Sequence, residues 1–311
     1  MSILFKGNGI SEFEPHVRKI FNEKCKKLNF YKTLSSVNSK EIKYLITWNP
    51  EKNIIKKLPN LEAIFTLGAG VDSLGDIKKI PKNIKIIRLL DAGMAEPIAN
   101  YVLAFTIFFM NKIHLSFIDR YQKKWSPFIP FDINTMNIGV MGFGKIGEKV
   151  VKKLQKNKFN VIVWRKKRKK ISGIETFFGR NSFESFLKKI NVIVNVLPLT
   201  EENKFILNKD SFNNCNDGTF LINVARGEHI IDKDLINAIN SKKISMAVLD
   251  VFNQEPLPKS HPFWKNERII ITPHSAAPTN IELACKQIIK NIKNIEKNIS
   301  PLGLVNRADG Y

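Results

Sequence analysis

The sequence is poor in cysteine, in arginine and in acidic residues, and it has no long apolar run. Only Cys25, Cys215 and Cys285 occur in 311 residues. They are odd in number, scattered and without metal-type spacing, which argues against a disulfide framework or a zinc site and fits a reducing compartment. The longest apolar stretch, Tyr101–Met110, is about half a membrane span and reads as a buried helix. The apolar run within Met1–Lys6 is too short for a signal peptide. A soluble cytoplasmic protein with no membrane partner is expected. Hydrophobic residues make up 43% and charged residues 25%, which excludes a disordered or collagen-like chain and leaves room for two domains of ordinary size.

The shortage of acid leaves a large positive charge. Fifty Lys and Arg against 28 Asp and Glu give +22. Such a balance suggests a nucleic acid or an anionic surface as partner. Yet 41 of the 50 are Lys and only 9 are Arg, whereas nucleic-acid readers lean on the arginine fork. Lys, Asn and Ile are abundant together, as A+T-rich coding DNA produces. Most of the charge therefore reads as dispersed lysine of compositional origin, which also helps attract anionic substrates. No reading helix, zinc spacing or RNA-binding aromatic motif appears, so no nucleic-acid partner is expected.

Short β-like runs alternate with helical patterns. Ser2–Lys6, Tyr44–Trp48, Ala63–Leu67 and Lys85–Leu89 are predicted strands, with Phe13–Leu28 a predicted helix among them. Ala95–Tyr121 reads as one long, mostly apolar helix, and Trp125–Pro130 breaks the pattern with two prolines. A second series begins at Asn137, with predicted strands Asn137–Met141, Asn160–Trp164, Val192–Val196, Thr219–Val224, Ser245–Leu249 and Arg268–Ile271 and a final helix over Asn280–Lys297. Nearly all-apolar strands are covered on both faces. The pattern predicts an α/β protein of two doubly wound parallel-sheet domains with a cleft between them, a ligand lying at the strand C-termini.

Asn137–Met141 runs into Gly142-Phe-Gly144-Lys145-Ile146-Gly147 and a helix predicted over Glu148–Lys156. Gly142 permits the tight turn, Gly144 lets the backbone approach a pyrophosphate, and Gly147 lets the helix pack close to the strand. The helix N-terminus offers free N–H groups and a positive dipole to phosphate. A strand, a helix and a second strand surround the motif, so dinucleotide binding is favoured over a ligand-free glycine turn. The second strand ends at Trp164, where an NAD site normally has an acid for the ribose 2′-OH. Here Arg165, Lys166, Lys167, Arg168, Lys169 and Lys170 follow. A solvated loop and a nuclear-localisation-like patch are alternative readings. Position favours a clamp for the 2′-phosphate of NADPH.

Three residues stand where late strands pass into loops. Arg226 follows Phe220–Ala225, Glu255 lies in Leu249-Asp-Val-Phe-Asn-Gln-Glu-Pro256, and His274 ends Ile269-Ile-Ile-Thr-Pro-His. Adding hydride to a 2-oxo acid builds negative charge on the carbonyl oxygen. A protonated His can supply the proton, a nearby Glu favours the imidazolium, and Arg can hold the carboxylate and polarise the carbonyl. Singly, each residue is more often structural: a loop cap, a surface acid and a core histidine. Spacing alone does not bring them together.

Gly142–Gly147, Leu197-Pro198-Leu-Thr200, Asn223-Val-Ala225-Arg226-Gly227, Leu249–Pro256 and Thr272-Pro-His274 together resemble the motifs of the D-isomer-specific 2-hydroxyacid dehydrogenases, in the same order over essentially the whole chain. Leu67–Ser73, Phe252–Pro258 and Asn306–Tyr311 resemble its glyoxylate/hydroxypyruvate reductase subfamily. The resemblance implies a Rossmann-type nucleotide domain over residues 99–278 and a discontinuous flavodoxin-like substrate domain over 1–98 and 279–311. It implies NADPH-dependent reduction of glyoxylate to glycolate and of hydroxypyruvate to D-glycerate, with Arg226 binding substrate, His274 donating the proton and Glu255 tuning it. It places Gly142, Gly144, Lys145, Ile146, Gly147, Trp164, Arg165, Lys166, Arg168, Leu197, Pro198, Ala225 and Asp250 around the cofactor, Asp250 on the nicotinamide carboxamide. Gly68, Ala69 and Gly70 would offer N–H groups to the substrate carboxylate, and Trp48 would line the pocket. A homodimer built partly on Ala95–Tyr121 is implied too. Three residues depart from the family pattern: Arg165 replaces a common Ser or Asp, Asn203 a Thr, and Asp309 a basic residue.

Two other readings share this fold. One is NAD-dependent oxidation of a larger D-2-hydroxy acid, against which the missing acid after Trp164 speaks. The other is a dinucleotide-sensing corepressor like the C-terminal-binding proteins, against which the compact chain without long tails speaks.

Overall fold

The computed structural model describes residues 2–25, 28–168 and 171–311. The chain divides into two compact units, Met1–Gly93 with Thr279–Tyr311, and Met94–Pro278.

In the first unit the chain forms β1 (Ser2–Phe5), α1 (Glu14–Lys24), β2 (Asn29–Tyr31), β3 (Ile42–Thr47), β4 (Ala63–Thr66) and β5 (Lys85–Ile87). The strands pair in parallel in the order β2-β1-β3-β4-β5, the flavodoxin-like order. Every residue of β1 and β4 is buried, which is why these strands read as unbroken apolar runs. Leu4, Leu45, Ile64 and Ile86 pack there with Ile54 and Leu58. The helix Ile281–Glu296 packs against α1, and the Arg307 guanidinium ties the C-terminal tail to the carbonyls of Ile77, Pro81 and Ile84. The sequence reading missed β2, and it carried α1 past its observed end at Lys24. β2 is a three-residue edge strand with only Phe30 buried, too short to carry an alternation.

The second unit begins with α2 (Ala95–Met110) and α3 (Ile113–Tyr121). The single helix predicted over Ala95–Tyr121 is therefore two. The Asn111 side chain takes the Ile107 carbonyl, and Lys112 adopts a left-handed φ of 55°, a helix-stop conformation. Apolar spacing continues across the break, so periodicity alone does not reveal it. Then follow β6 (Asn137–Met141), α4 (Lys145–Lys156), β7 (Asn160–Arg165), β8 (Glu175–Phe178), α5 (Phe183–Leu187), β9 (Val192–Asn195), α6 (Lys209–Asn213), β10 (Thr219–Asn223), α7 (Asp232–Asn240), β11 (Ile244–Leu249) and β12 (Ile269–Ile271). The half-exposed edge strand β8 also escaped the sequence reading.

All seven strands are parallel, in the order β12-β11-β10-β9-β6-β7-β8. The chain winds outward from β6 through β7 to β8, then returns to β9 and winds the other way. β6 and β9 thus form a topological switch point, where open α/β sheets bind ligands. α5 packs so tightly on β6 that a Cβ on Gly139 would lie 2.7 Å from Phe186 Cζ. Ile138, Val140, Ile193 and Leu221 are fully buried, each contributing about 1.5–3 kcal/mol by leaving water. At the other end of the helical layer, Glu96 of α2 pairs with Lys149 and Lys153 of α4. Among the described residues no single helix is long and apolar enough to cross a membrane. α2 and α3 qualify jointly on length and composition but are bent by 69°.

Candidate active site

The glycine turn follows β6 at the switch point. Gly142 has φ 105°, a conformation that side chains rarely adopt, and a Cβ there would also press on the Val196 carbonyl at 3.0 Å and Leu197 Cδ2 at 3.4 Å. At Gly147 a Cβ would lie 2.2 Å from the Gly142 carbonyl oxygen, so the first turn of α4 sits directly on the loop. Gly144 differs: a Cβ there would meet nothing within 4 Å. The chain's own packing does not require a glycine at that point. An open approach to the backbone at the start of a helix suits a phosphate group. Gly144 caps α4, which begins at Lys145, three residues earlier than the predicted Glu148. Lys145 is exposed and Ile146 half-buried, leaving both accessible in that first turn.

At the end of β7 the Trp164 side chain turns into the core. It is 3% exposed, donates to the Gly179 carbonyl at 3.0 Å and packs on Phe183. Only its main chain can serve a cofactor. Arg165 is half-buried and Arg168 exposed; Lys169 and Lys170 lie outside the described residues. Lys166 Nζ is 2.7 Å from Glu202 Oε2. This pair joins the loop after β7 to the loop after β9, the two strands that flank β6. Glu202 escaped the sequence reading because nothing local links it to the basic run. The β9 loop, with Leu197 buried, is braced by Asn203 donating to the Pro198 carbonyl at 3.2 Å.

Arg226, Glu255 and His274 follow β10, β11 and β12, three neighbouring strands. The predicted residues do meet in part. Glu255 Oε2 lies 2.7 Å from His274 Nδ1, and Glu255 Oε1 accepts the Phe252 N–H at 2.9 Å. Burial pushes the Glu255 carboxyl up, but the His274 and Phe252 hydrogen bonds and the charges of His274 and Arg226 outweigh it and hold it below the ordinary value. Gly227 explains the proximity of Arg226: a Cβ there would fall 1.9 Å from the Phe252 carbonyl carbon, so the loop after β10 lies directly on the loop carrying Glu255. Arg226 Nη1 donates to the Ala225 carbonyl at 2.6 Å.

Beneath this loop lies a polar cluster that motif reading passed over. Asn195 and Asn223 end β9 and β10 and, with His229, are fully buried. Asn195 Nδ2 donates to Asn223 Oδ1 at 3.0 Å and lies 3.0 Å from His229 Nδ1. Asn223 in turn donates to the Arg226 carbonyl at 2.9 Å and accepts the Ala225 N–H at 3.2 Å. Buried amides with satisfied partners rigidify a loop. The available signal was a polar residue ending an otherwise apolar strand.

Asp250 is 2% exposed, and its carboxylate accepts from Thr272 Oγ1 and from the N–H groups of Ser275 and Ala276. The side chain assigned to the nicotinamide carboxamide is thus already committed to the loop that carries His274.

In the first unit, the Trp48 ring lies against Gly68, where a Cβ would be 2.3 Å from Trp48 Cζ3. The carbonyls of Leu67, Gly68 and Ala69 accept hydrogen bonds from Thr279 Oγ1, Leu89 N–H and Arg88 Nη1. The N–H groups of Gly68, Ala69 and Gly70 make none among the described residues. Free donors beside filled acceptors suit an anion.

Comparison with known proteins shows the family and the fold. The sequence model of the family described as D-isomer specific 2-hydroxyacid dehydrogenase, NAD binding domain, matches residues 103–276. A glyoxylate/hydroxypyruvate reductase A of Yersinia enterocolitica is 35% identical over 273 residues, covering 86% of this chain and 87% of that protein. Among solved structures, a D-isomer specific 2-hydroxyacid dehydrogenase from Xanthobacter autotrophicus in complex with NADPH and MES has a TM-score of 0.92 at 28% identity, over 100% of this chain and 99% of that one. A probable 2-hydroxyacid dehydrogenase from Rhizobium etli in complex with NADP, HEPES and L(+)-tartaric acid has a TM-score of 0.88 at 28% identity, again over 100% and 99%.

Proposed function

The chain belongs to the D-isomer specific 2-hydroxyacid dehydrogenases, and from that premise we propose that it reduces glyoxylate and hydroxypyruvate with NADPH. The observation that carries the reading is the His274–Glu255 contact of 2.7 Å beside Arg226. Bound NADPH supplies the hydride. With Nδ1 turned to Glu255, His274 presents Nε2–H to the substrate carbonyl oxygen and gives it that proton. Glu255 keeps the ring oriented and favours its charged form. Arg226 holds the substrate carboxylate and polarises the carbonyl. Trp48 and the amides of Gly68, Ala69 and Gly70 serve the same substrate in this reading.

The residues fit a phosphorylated dinucleotide. Gly142, Gly144 and the N-terminus of α4, with Lys145 and Ile146, hold the pyrophosphate. Arg165, Lys166 and Arg168 hold the 2′-phosphate, and no carboxylate ends β7 to repel it. Leu197, Pro198, Ala225 and Asp250 line the remainder. A homodimer is part of the proposal, supported by Ile113 and Phe117 of α3 and by Trp125 and Ile129, which are 96% and 83% exposed. Light scattering on the purified chain tests it. Three unpaired cysteines support a reducing, cytoplasmic setting. The deciding experiment is steady-state turnover of a panel of small 2-oxo acids with NADPH and with NADH. Faster turnover of glyoxylate or hydroxypyruvate with NADPH is expected, and a clear NADH preference or inactivity on both acids overturns the reading.

A further inference from the structure

Three side chains from three elements join beneath the loop that carries His274. The Tyr101 hydroxyl, on α2, lies 2.7 Å from Thr272 Oγ1, just past β12. Thr272 Oγ1 lies 2.6 Å from Asp250 Oδ1, just past β11. An ionised carboxylate only accepts, so Thr272 donates its single proton to Asp250, and Tyr101 must donate to Thr272. The relay therefore runs one way, from the helix to the carboxylate. Burial, together with the Asp250 charge, pushes the Tyr101 hydroxyl well above its ordinary ionisation range, while its bond to Thr272 pulls the other way, so Tyr101 stays a donor across the working pH range.

Asp250 passes the constraint on. Its carboxylate accepts the N–H of Ser275 at 2.8 Å and of Ala276 at 3.0 Å, and its main-chain carbonyl accepts the His274 N–H at 2.9 Å. Every link from Thr272 to Ala276 is thus tied to one buried residue, except Pro273, which has no N–H. His274 itself sits at φ 51°, a left-handed conformation that a non-glycine residue keeps only when its surroundings impose it. Short bonds to a buried carboxylate are the means of imposing it. Thr272 meets His274 only through its carbonyl, which accepts the His274 N–H at 3.0 Å; the Tyr101 and Thr272 hydroxyls bond neither His274 nor Glu255 among the described residues and act through Asp250.

We propose that Tyr101 and Thr272 are positioning residues for His274, forming a relay that sets the Asp250 carboxylate and through it the backbone that aims the imidazole. The proposal rests on His274 being the proton donor. A ring displaced by about an ångström loses roughly a hundredfold in rate, so partial loosening is expected to lower kcat about tenfold while the KM for NADPH changes little.

The test compares wild type, Tyr101→Phe, Thr272→Val, Thr272→Ser, the Tyr101→Phe/Thr272→Val double variant and His274→Asn, each as the full chain, for kcat, both KM values, NADPH affinity and thermal midpoint. Tyr101→Phe and Thr272→Val are expected to lower kcat with NADPH affinity intact. Thr272→Ser, which keeps the hydroxyl, restores it. The double variant is no slower than Thr272→Val alone, because the two groups act in series. Wild-type kcat in both single variants overturns the proposal, and so do additive losses or a failure of Thr272→Ser to restore turnover. Undiminished turnover in His274→Asn, or none in wild type, overturns the functional reading instead.

Discussion

The Glu255 carboxylate and the His274 imidazole meet at 2.7 Å, and the second Glu255 oxygen is held by the Phe252 N–H at 2.9 Å. The carboxylate therefore has little freedom to turn away. Its folded pKa lies below the ordinary value of 4.5. A depressed carboxylate stabilises the fold above its unfolded pKa, and that contribution disappears as pH falls through the folded value. Melting curves of wild type and Glu255→Gln should therefore differ above about pH 5 and converge below the ordinary glutamate range. In turnover, Glu255→Gln should lower kcat, since the carboxylate that holds the His274 ring at 2.7 Å is gone.

His274 contacts Glu255 through Nδ1, and Nε2 is the atom proposed to face the substrate. Replacing it with Asn should cut reduction of glyoxylate by about 100-fold or more, the usual contribution of a positioned acid. NADPH binding, followed by cofactor fluorescence, should persist. Retained turnover would remove His274 as the donor.

Arg165 ends β7 and Arg168 lies just beyond it, where the adenosine ribose is expected. Changing both to Ser should raise the KM for NADPH about tenfold, the loss of roughly one charge-assisted contact. The KM for glyoxylate and for NADH should hardly move. Equal effects on all three would make the run a solvated loop.

Glu202 competes for the same cations through its 2.7 Å pair with Lys166. The two side chains are 42% and 65% exposed, so the pair is weak and salt-screened. Glu202→Gln should lower the KM for NADPH by a few-fold, with the gain shrinking at high salt, and leave that for NADH unchanged. An unchanged NADPH KM would show that Lys166 does not serve the 2′-phosphate.

Much of this was legible locally. The buried strands β4, β6 and β9 announce themselves as apolar runs between turns, because a strand covered on both faces has no polar side to show. The glycine turn is legible because Gly142 and Gly147 answer steric demands of the chain's own backbone, while Gly144 leaves the backbone open at the helix start. The motif residues Arg226, Glu255 and His274 stood at strand ends in a recognisable order. What local reading mislaid had no local signal. β2 and β8 are short edges, defined by the neighbour they pair with. The break at Lys112 interrupts a helix without interrupting its apolar spacing. Trp164 looked like a cofactor residue by position, yet its ring is taken by Phe183 and the Gly179 carbonyl.

Chain order and residue type were enough to establish a dinucleotide turn, two parallel sheets and the family. They could not establish that Glu255 touches His274, nineteen residues apart, that Gly227 seats the Arg226 loop on Phe252, or that Tyr101 reaches Asp250 through Thr272. Those contacts join elements distant in the chain, and each depends on adjacent parallel strands delivering their C-terminal loops to the same edge of the sheet. Parallel strands reach one another only through crossovers, so the residues that cooperate at their ends are separated in sequence by the helices that make the crossovers possible.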